Sequence, residues 1–245
     1  MKTLSKSEAL VMEEIGESIK PLEVAGILGC SLNQARVVLH RLDKKGWLLR
    51  VKRGLYIHPE RIVNPYHLLP LLSKKYYVSY FTALNYHGFT TQVPTSLLVA
   101  SLDTSLKIKF HNTSIKFIKV AEKKFFGFKK IKIKNKDIAM AEKEKALLDS
   151  LDKPQYSGGI NHVIPCFENE FNTKKLIRYA LKLDNRTLIR RLGAILDQKE
   201  IELPPSLEEK MLKISNEAGY YSPLDKTRKI NGKKIKKWRI RWNVR

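Results

Sequence analysis

Two groups of side chains in this 245-residue chain have the types and spacing to act on an anionic partner or a metal. The first lies between Ser31 and Tyr56. Asn33, Gln34, Arg36, His40, Arg41 and Lys44 fall on or beside one side of a helical repeat, with Val37 as the apolar member of that side. Amides and guanidinium groups are the side chains that reach base edges in a DNA major groove, and cations are those that hold phosphates. Arg50, Lys52 and Arg53 follow at once in an alternating segment that ends in the turn Arg53-Gly54 and the returning "LYIH". The second group is Glu142, Glu144, Asp149 and Asp152, a donor set of the kind that holds a metal for phosphodiester cleavage. On a helix, however, Glu142, Lys145 and Asp149 share one face, which is equally the pattern of a solvated salt-bridge ladder. His40, His58, His67, His87, His111 and His162 show no paired ligand spacing, and no GxSxG, phosphate-loop or HExxH pattern occurs. No metal or cofactor is implied.

The first group needs a scaffold, and the N-terminal sequence supplies its signals. Ser5 with Glu8 and Ser31 with Gln34 fit capping boxes, Pro21 suits the first turn of a helix, and Gly29 stops that helix. Leu32, Ala35, Leu39 and Leu42 recur at helical spacing and are expected to face inward together. After Gly46, Trp47, Leu49 and Val51 alternate with Leu48, Arg50 and Lys52, a strand pattern closed by the turn. Helix, Gly-containing turn, helix and basic hairpin in that order predict a winged helix-turn-helix over residues 1–62, bounded by the proline-bearing segment 58–67. Its expected DNA-binding residues are Ser31, Asn33, Gln34, Arg36, His40, Arg41, Lys44, Lys45, Arg50, Lys52, Arg53 and Tyr56. Asn33, Gln34, Arg36 and His40 would read bases and the cations would meet phosphates, so Lys52→Ala is expected to weaken all sequences alike and lower the salt slope by about 1.

Composition agrees with a polyanionic partner. The chain carries 47 Lys+Arg against 24 Asp+Glu, a formal charge of +23, which draws phosphate-bearing partners by long-range attraction. Cys30 and Cys166 form neither a disulfide framework nor a zinc pattern, and Cys30 reads as a small packed residue. The N-terminal residues lack a secretory h-region and no apolar run approaches about 18 residues. The expected compartment is the cytoplasm.

Residues 63–245 read as a second, mixed domain. Helical segments near 66–73 and 79–87 precede the strand-like "TSLLVAS", "LKIKFH" and "SIKFIKV", and the pattern turns helical again from Ile138 through "AEKEKALLDSLD", then near 172–183, 185–198 and 206–218. Eleven lysines and one acid lie between Ser105 and Lys136, so a sheet there is expected to present a cationic face. The basic tail at about 225–245 places Trp238 and Trp242 among Arg239 and Arg241, which suits stacking on nucleic acid or an edge strand that packs its tryptophans.

The segments "YYVSYFTALNYHGFTTQVP" at 76–94, "FFG" at 125–127, "IAMAEKEKALLDSLDKPQYSGG" at 138–159 and "RLG" at 191–193, with the "RGLY" of the wing, resemble the AbiEi-type antitoxins of type IV toxin–antitoxin systems over about residues 5–200. The resemblance implies an autoregulating transcriptional repressor. Its winged helix would bind inverted repeats in its own promoter, and its C-terminal domain would counter a nucleotidyltransferase-like toxin with or without direct contact. It supplies no catalytic residues. The resulting expectation is an α+β, two-domain, non-enzymatic DNA-binding repressor with double-stranded DNA as partner. The alternatives are a regulator without a toxin and a metal-dependent nuclease-like enzyme using the 142–152 carboxylates.

Overall fold

The computed structural model describes residues 3–62 and 64–244. It is an α+β structure that divides into two compact units, the first running to Lys74 and including Ile133–Lys136, the second comprising Lys75–Lys132 and the residues from Asp137 onward.

The first unit opens with α1 (Lys6–Glu14), β1 (Ser18–Ile19), α2 (Pro21–Leu28) and α3 (Leu32–Lys45), followed by β2 (Leu49–Lys52), β3 (Leu55–Ile57) and the short α4 (Leu69–Leu72). Both capping boxes form: Glu8 N donates to Ser5 Oγ and Ser5 N to the Glu8 carboxylate, and Gln34 and Ser31 exchange the same pair. Gly46, at φ 84°, ends α3 in a left-handed conformation that glycine adopts without a Cβ penalty, and so turns the chain into β2. The three strands form an antiparallel sheet in the order β1-β3-β2. Val11, Ile15, Ile19, Val24, Ala35, Leu39, Leu42, Leu48 and Tyr56 make one core.

Two details depart from the sequence reading. Leu32 is exposed, because it occupies the first position of α3, where the helix has not yet turned that side inward. The hairpin does not alternate strictly. A register shift between Arg50 and Lys52 leaves both Leu48 and Val51 buried while Trp47 and Leu49 are only half-buried, as expected when a bulge interrupts the two-residue period.

The second unit is built on a six-stranded sheet in the order β6-β7-β5-β4-β9-β8, from β4 (Tyr76–Val78), β5 (Ser96–Ser101), β6 (Leu106–Phe110), β7 (Thr113–Lys119), β8 (Phe128–Ile133) and β9 (Lys136–Ala141). β4 runs antiparallel to β5 and parallel to β9, and β7 runs parallel to β5 and antiparallel to β6. Helix α5 (Tyr80–Tyr86) packs on β5 and on α6 (Lys143–Asp152). After α7 (Ile160–Val163), helices α8 (Thr173–Leu183), α9 (Arg186–Gln198) and α10 (Pro205–Asn216) complete the layer. The exposed lysines of β6 and β8 lie at opposite edges of the sheet, where charge blocks pairing with another chain.

The basic tail folds into a three-stranded sheet of β10 (Ser222–Pro223), β11 (Lys233–Ile235) and β12 (Ile240–Trp242). Trp238 is fully buried against Gly193, and its Nε1–H donates to Asp197 Oδ2 at 2.7 Å. Of the two readings of this tail, packing is the one realised for Trp238. Arg190, also fully buried, satisfies its guanidinium on the carbonyls of Ser215, Ala218 and Tyr220 and on Ser222 Oγ, thereby fastening the connection from α10 to β10.

Candidate nucleic-acid interface

In the first unit, α3 stands with Ala35, Leu39 and Leu42 in the core and Asn33, Gln34, Arg36, Val37, His40, Arg41 and Lys44 exposed. Helix α2 meets α3 at a bend of 106°. Between the outer side of α3 and the β2–β3 hairpin lies an open cleft of about 620 Å³, into which Arg36 and His40 project from α3 and Arg50 and Arg53 from the hairpin. Lys20 completes the cationic rim from the residue before α2. Tyr56 is buried in the core yet contributes to the cleft wall. The arrangement concentrates four cations, Lys20, Arg36, Arg50 and Arg53, around His40 on one concave surface, and among the described residues none of these five side chains has a carboxylate partner. Such a surface accepts a row of phosphates, while the exposed amides beside it can donate and accept at base edges.

The remaining expected residues are distributed less simply. Arg41 and Lys44 are exposed, further along α3. Ser31 and Gln34 are engaged with each other: the Gln34 carbonyl oxygen accepts from Ser31 N at 2.9 Å and from Ser31 Oγ at 2.8 Å, leaving the Gln34 amide nitrogen as its free donor. Arg36 Nη1 donates to Asn33 Oδ1 at 3.1 Å, so these two side chains present a fixed pair. Asp43, whose Oδ1 accepts from Arg50 N at 2.9 Å, anchors the start of the hairpin to the end of α3.

Two lysines have partners within the unit, Lys45 half-buried and Lys52 exposed. Lys45 Nζ pairs with buried Glu8 at 2.5 Å and donates to the Thr3 carbonyl at 2.9 Å. The hydrogen bond from Lys45 Nζ to the Glu8 carboxylate, followed by the one from Ser5 N, holds the Glu8 carboxyl below its ordinary value. Lys52 Nζ donates to the Leu72 carbonyl at 2.9 Å. Lys45 was expected at a phosphate because helical position reports direction but not the presence of an acceptor from elsewhere in the fold, whereas Lys52 keeps its charge and its exposure. Conversely, Lys20 carried no local signal of its place on the rim. It comes beside α3 only because α2 starts there, with Pro21 at its first position.

The carboxylates at 142–152 belong to the second unit, where each is engaged. Glu142 accepts from Tyr179 Oη at 2.7 Å and pairs with Lys175, which also pairs with Glu144. Asp152 pairs with Lys124 and accepts from Asn185 Nδ2. Asp149 accepts from Tyr77 Oη at 3.0 Å and Ser79 Oγ at 2.7 Å, and pairs with Lys145, whose Nζ also donates to Tyr77 Oη. Far from a solvated ladder, Lys145 and Asp149 are buried. Burial pushes the Lys145 ammonium below its ordinary pKa against the pull of Asp149, and pushes the Tyr77 phenol well above its own. Among the described residues no cluster of three histidine, cysteine, aspartate or glutamate side chains has the arrangement to hold a metal.

No family model matches the chain, and no curated protein matches it. Among solved structures, the chain is similar to the RV2827C protein from Mycobacterium tuberculosis, with a TM-score of 0.62 and 11% identity over 98% of this chain and 92% of that one. At that identity the likeness establishes a common fold. No single helix among the described residues is long and apolar enough to cross a membrane.

Proposed function

We propose that the first unit is a winged helix-turn-helix and that the chain is a cytoplasmic, sequence-reading DNA-binding repressor of its own promoter, of the AbiEi antitoxin type. The observation that carries this reading is the cationic cleft between α3 and the β2–β3 hairpin, rimmed by Lys20, Arg36, His40, Arg50 and Arg53. The 106° bend between α2 and α3 lies within the range of helix-turn-helix pairs, and the exposed Asn33–Arg36 pair lies on the first two turns of α3, the end that meets base edges in such proteins. In this reading α3 enters the major groove, with Asn33, Gln34, Arg36 and His40 at bases. Arg50 and Arg53 lie over the adjacent backbone as the wing. Inverted repeats would be bound by two copies, and the second unit would serve a nucleotidyltransferase-like toxin.

The test is a titration of the full chain against a labelled fragment of its own upstream DNA and a scrambled fragment of equal length, at about 50 and 200 mM salt, a range over which purely cationic binding falls steeply. A preference for the upstream fragment that survives the higher salt is the expected outcome. Equal affinity for both fragments at both concentrations would refute sequence reading.

A further inference from the structure

The second unit contains a cleft that the DNA-binding reading leaves without a role. It lies on the face shared by β5, β6 and β7, has a volume of about 470 Å³, and falls in the size range of sites for small molecules. Its chemistry follows from strand register. In the antiparallel pairing of β6 with β7, Lys107 stands directly opposite Lys116, and in the parallel pairing of β5 with β7, Ser96 stands beside Ser114 and Leu98 beside Lys116. All of these side chains therefore emerge on one face, and all line the cleft. Like charges directly opposed across two strands repel. No carboxylate lines the cleft, and among the described residues neither lysine has an acidic partner.

The far wall holds this charge in place. Lys116 Nζ sits 4.6 Å from the centre of the Tyr156 ring, a cation–π contact that fixes a side chain otherwise free to wander. Tyr156 in turn meets the edge of Tyr80 at 5.3 Å. Tyr80 is buried and has a φ of 56°, a conformation costly for a residue with a side chain and kept only where the surroundings enforce it. Phe81, the next residue, is set edge-on to His162 at 4.9 Å and forms an apolar wall facing the Leu98 floor. The cleft thus offers two ammonium groups and two serine hydroxyls beside an aromatic and an aliphatic surface.

We propose that this cleft binds a nucleoside mono- or diphosphate, with the phosphate between Lys107 and Lys116 and within reach of the Ser96 and Ser114 hydroxyls, and the base against Phe81 and Leu98. A phosphate relieves the repulsion between the two lysines. A flat ring uses the apolar surface of Phe81 and Leu98, which inorganic phosphate leaves uncovered. The site is independent of the first unit, so its occupancy does not depend on whether that unit reads DNA.

The experiment is isothermal titration calorimetry of the full chain at about 150 mM salt with AMP, ADP and inorganic phosphate. Saturable one-to-one binding of AMP or ADP, tighter than inorganic phosphate, is expected. Lys116→Gln and Lys107→Gln should each weaken nucleotide about tenfold or more, as the loss of a charge-assisted contact implies. Phe81→Ala should weaken nucleotide but not phosphate. Lys132→Gln, an exposed lysine on β8, should change nothing. Unchanged thermal unfolding of each variant establishes that the fold survives. Absence of saturable binding at about 5 mM nucleotide would overturn the proposal. So would an equal loss in Lys132→Gln, which would reduce the effect to general charge, or full displacement of ADP by a single-stranded oligonucleotide, which would make the cleft a strand-binding site.

Discussion

If α3 and the hairpin meet DNA as proposed, the salt dependence of binding should sort the lysines and arginines by what the fold has already done with them. Six cations of this region point to phosphates by sequence: Arg41, Lys44, Lys45, Arg50, Lys52 and Arg53. In the structure Lys45 is neutralised by buried Glu8 and Lys52 is held on the Leu72 carbonyl, which leaves four, and Lys20 on the rim of the cleft makes five. Each phosphate contact contributes about −0.9 to the slope of log affinity against log salt. Five contacts therefore predict a slope near −4.5 per copy and a loss of about 500-fold between roughly 50 and 200 mM salt, whereas seven would predict a loss of about 6,000-fold. Fluorescence anisotropy with a labelled upstream duplex measures the slope directly. Arg50→Ala and Arg53→Ala should each make it shallower by about 1. Lys45→Ala should leave it unchanged while destabilising the first unit by about 1–2 kcal/mol, because Glu8 stays buried without its ion-pair partner. The Glu8 carboxyl is depressed below its ordinary 4.5, so its contribution is present above that value and lost as pH falls through the folded-state value. Lys45→Ala should reduce that acid-side loss. A slope that Lys45→Ala lowers as much as Arg53→Ala does would refute the sorting, and with it the claim that local engagement decides which cations reach the backbone.

Two predictions concern stability. Asp149→Ala strands the buried Lys145 ammonium and should cost about 3–5 kcal/mol in urea unfolding; Lys145→Met combined with Asp149→Leu should cost at least about 2 kcal/mol less than the sum of the single variants, and additivity would show that the two groups do not act as a pair. Gly193→Ala should destabilise by about 2 kcal/mol or more, since a Cβ there falls inside the Trp238 indole, while Gly26→Ala, on α2 with open space around it, should stabilise by up to about 1 kcal/mol; a shift of the same sign at both sites would contradict the packing of Trp238 on α9.

The first unit was more legible than the second for a physical reason. Its helices are bounded by local chemistry, with Ser5, Ser31, Gly29 and Gly46 each acting on atoms within a few residues, so α1, α2 and α3 could be placed from spacing alone. The side chains on the exposed part of α3 followed from the same period. What spacing could not give was the state of each cation, because the partners of Lys45 and Lys52 come from 37 and 20 residues away. The second unit depends almost wholly on such distant partners. Lys145 and Asp149 sit at the i,i+4 spacing of an exposed pair, and they are buried because Tyr77 and Ser79, about 70 residues earlier, supply hydroxyls from β4 and the turn after it.

The same logic explains why a chain of charge +23 need not bind nucleic acid with all of its surface. Lys237 is consumed by Asp197 and Glu208, Lys175 by Glu142 and Glu144, and Lys124 by Asp152. The lysines of β6 and β8 guard the two edges of a six-stranded sheet. Net charge therefore fixes the long-range attraction, whereas contact is fixed by which cations remain unpaired and converge. In the first unit that convergence is the cleft beside α3, and in the second it is the paired lysines of β6 and β7. The two surfaces differ in what surrounds the charge: exposed amides on a helix in one case, an aromatic wall in the other. A long duplex suits the first geometry and a small phosphorylated ring the second, so salt should weaken the two kinds of binding to different extents, steeply for the duplex and slightly for the nucleotide, whose one or two charges release few counterions.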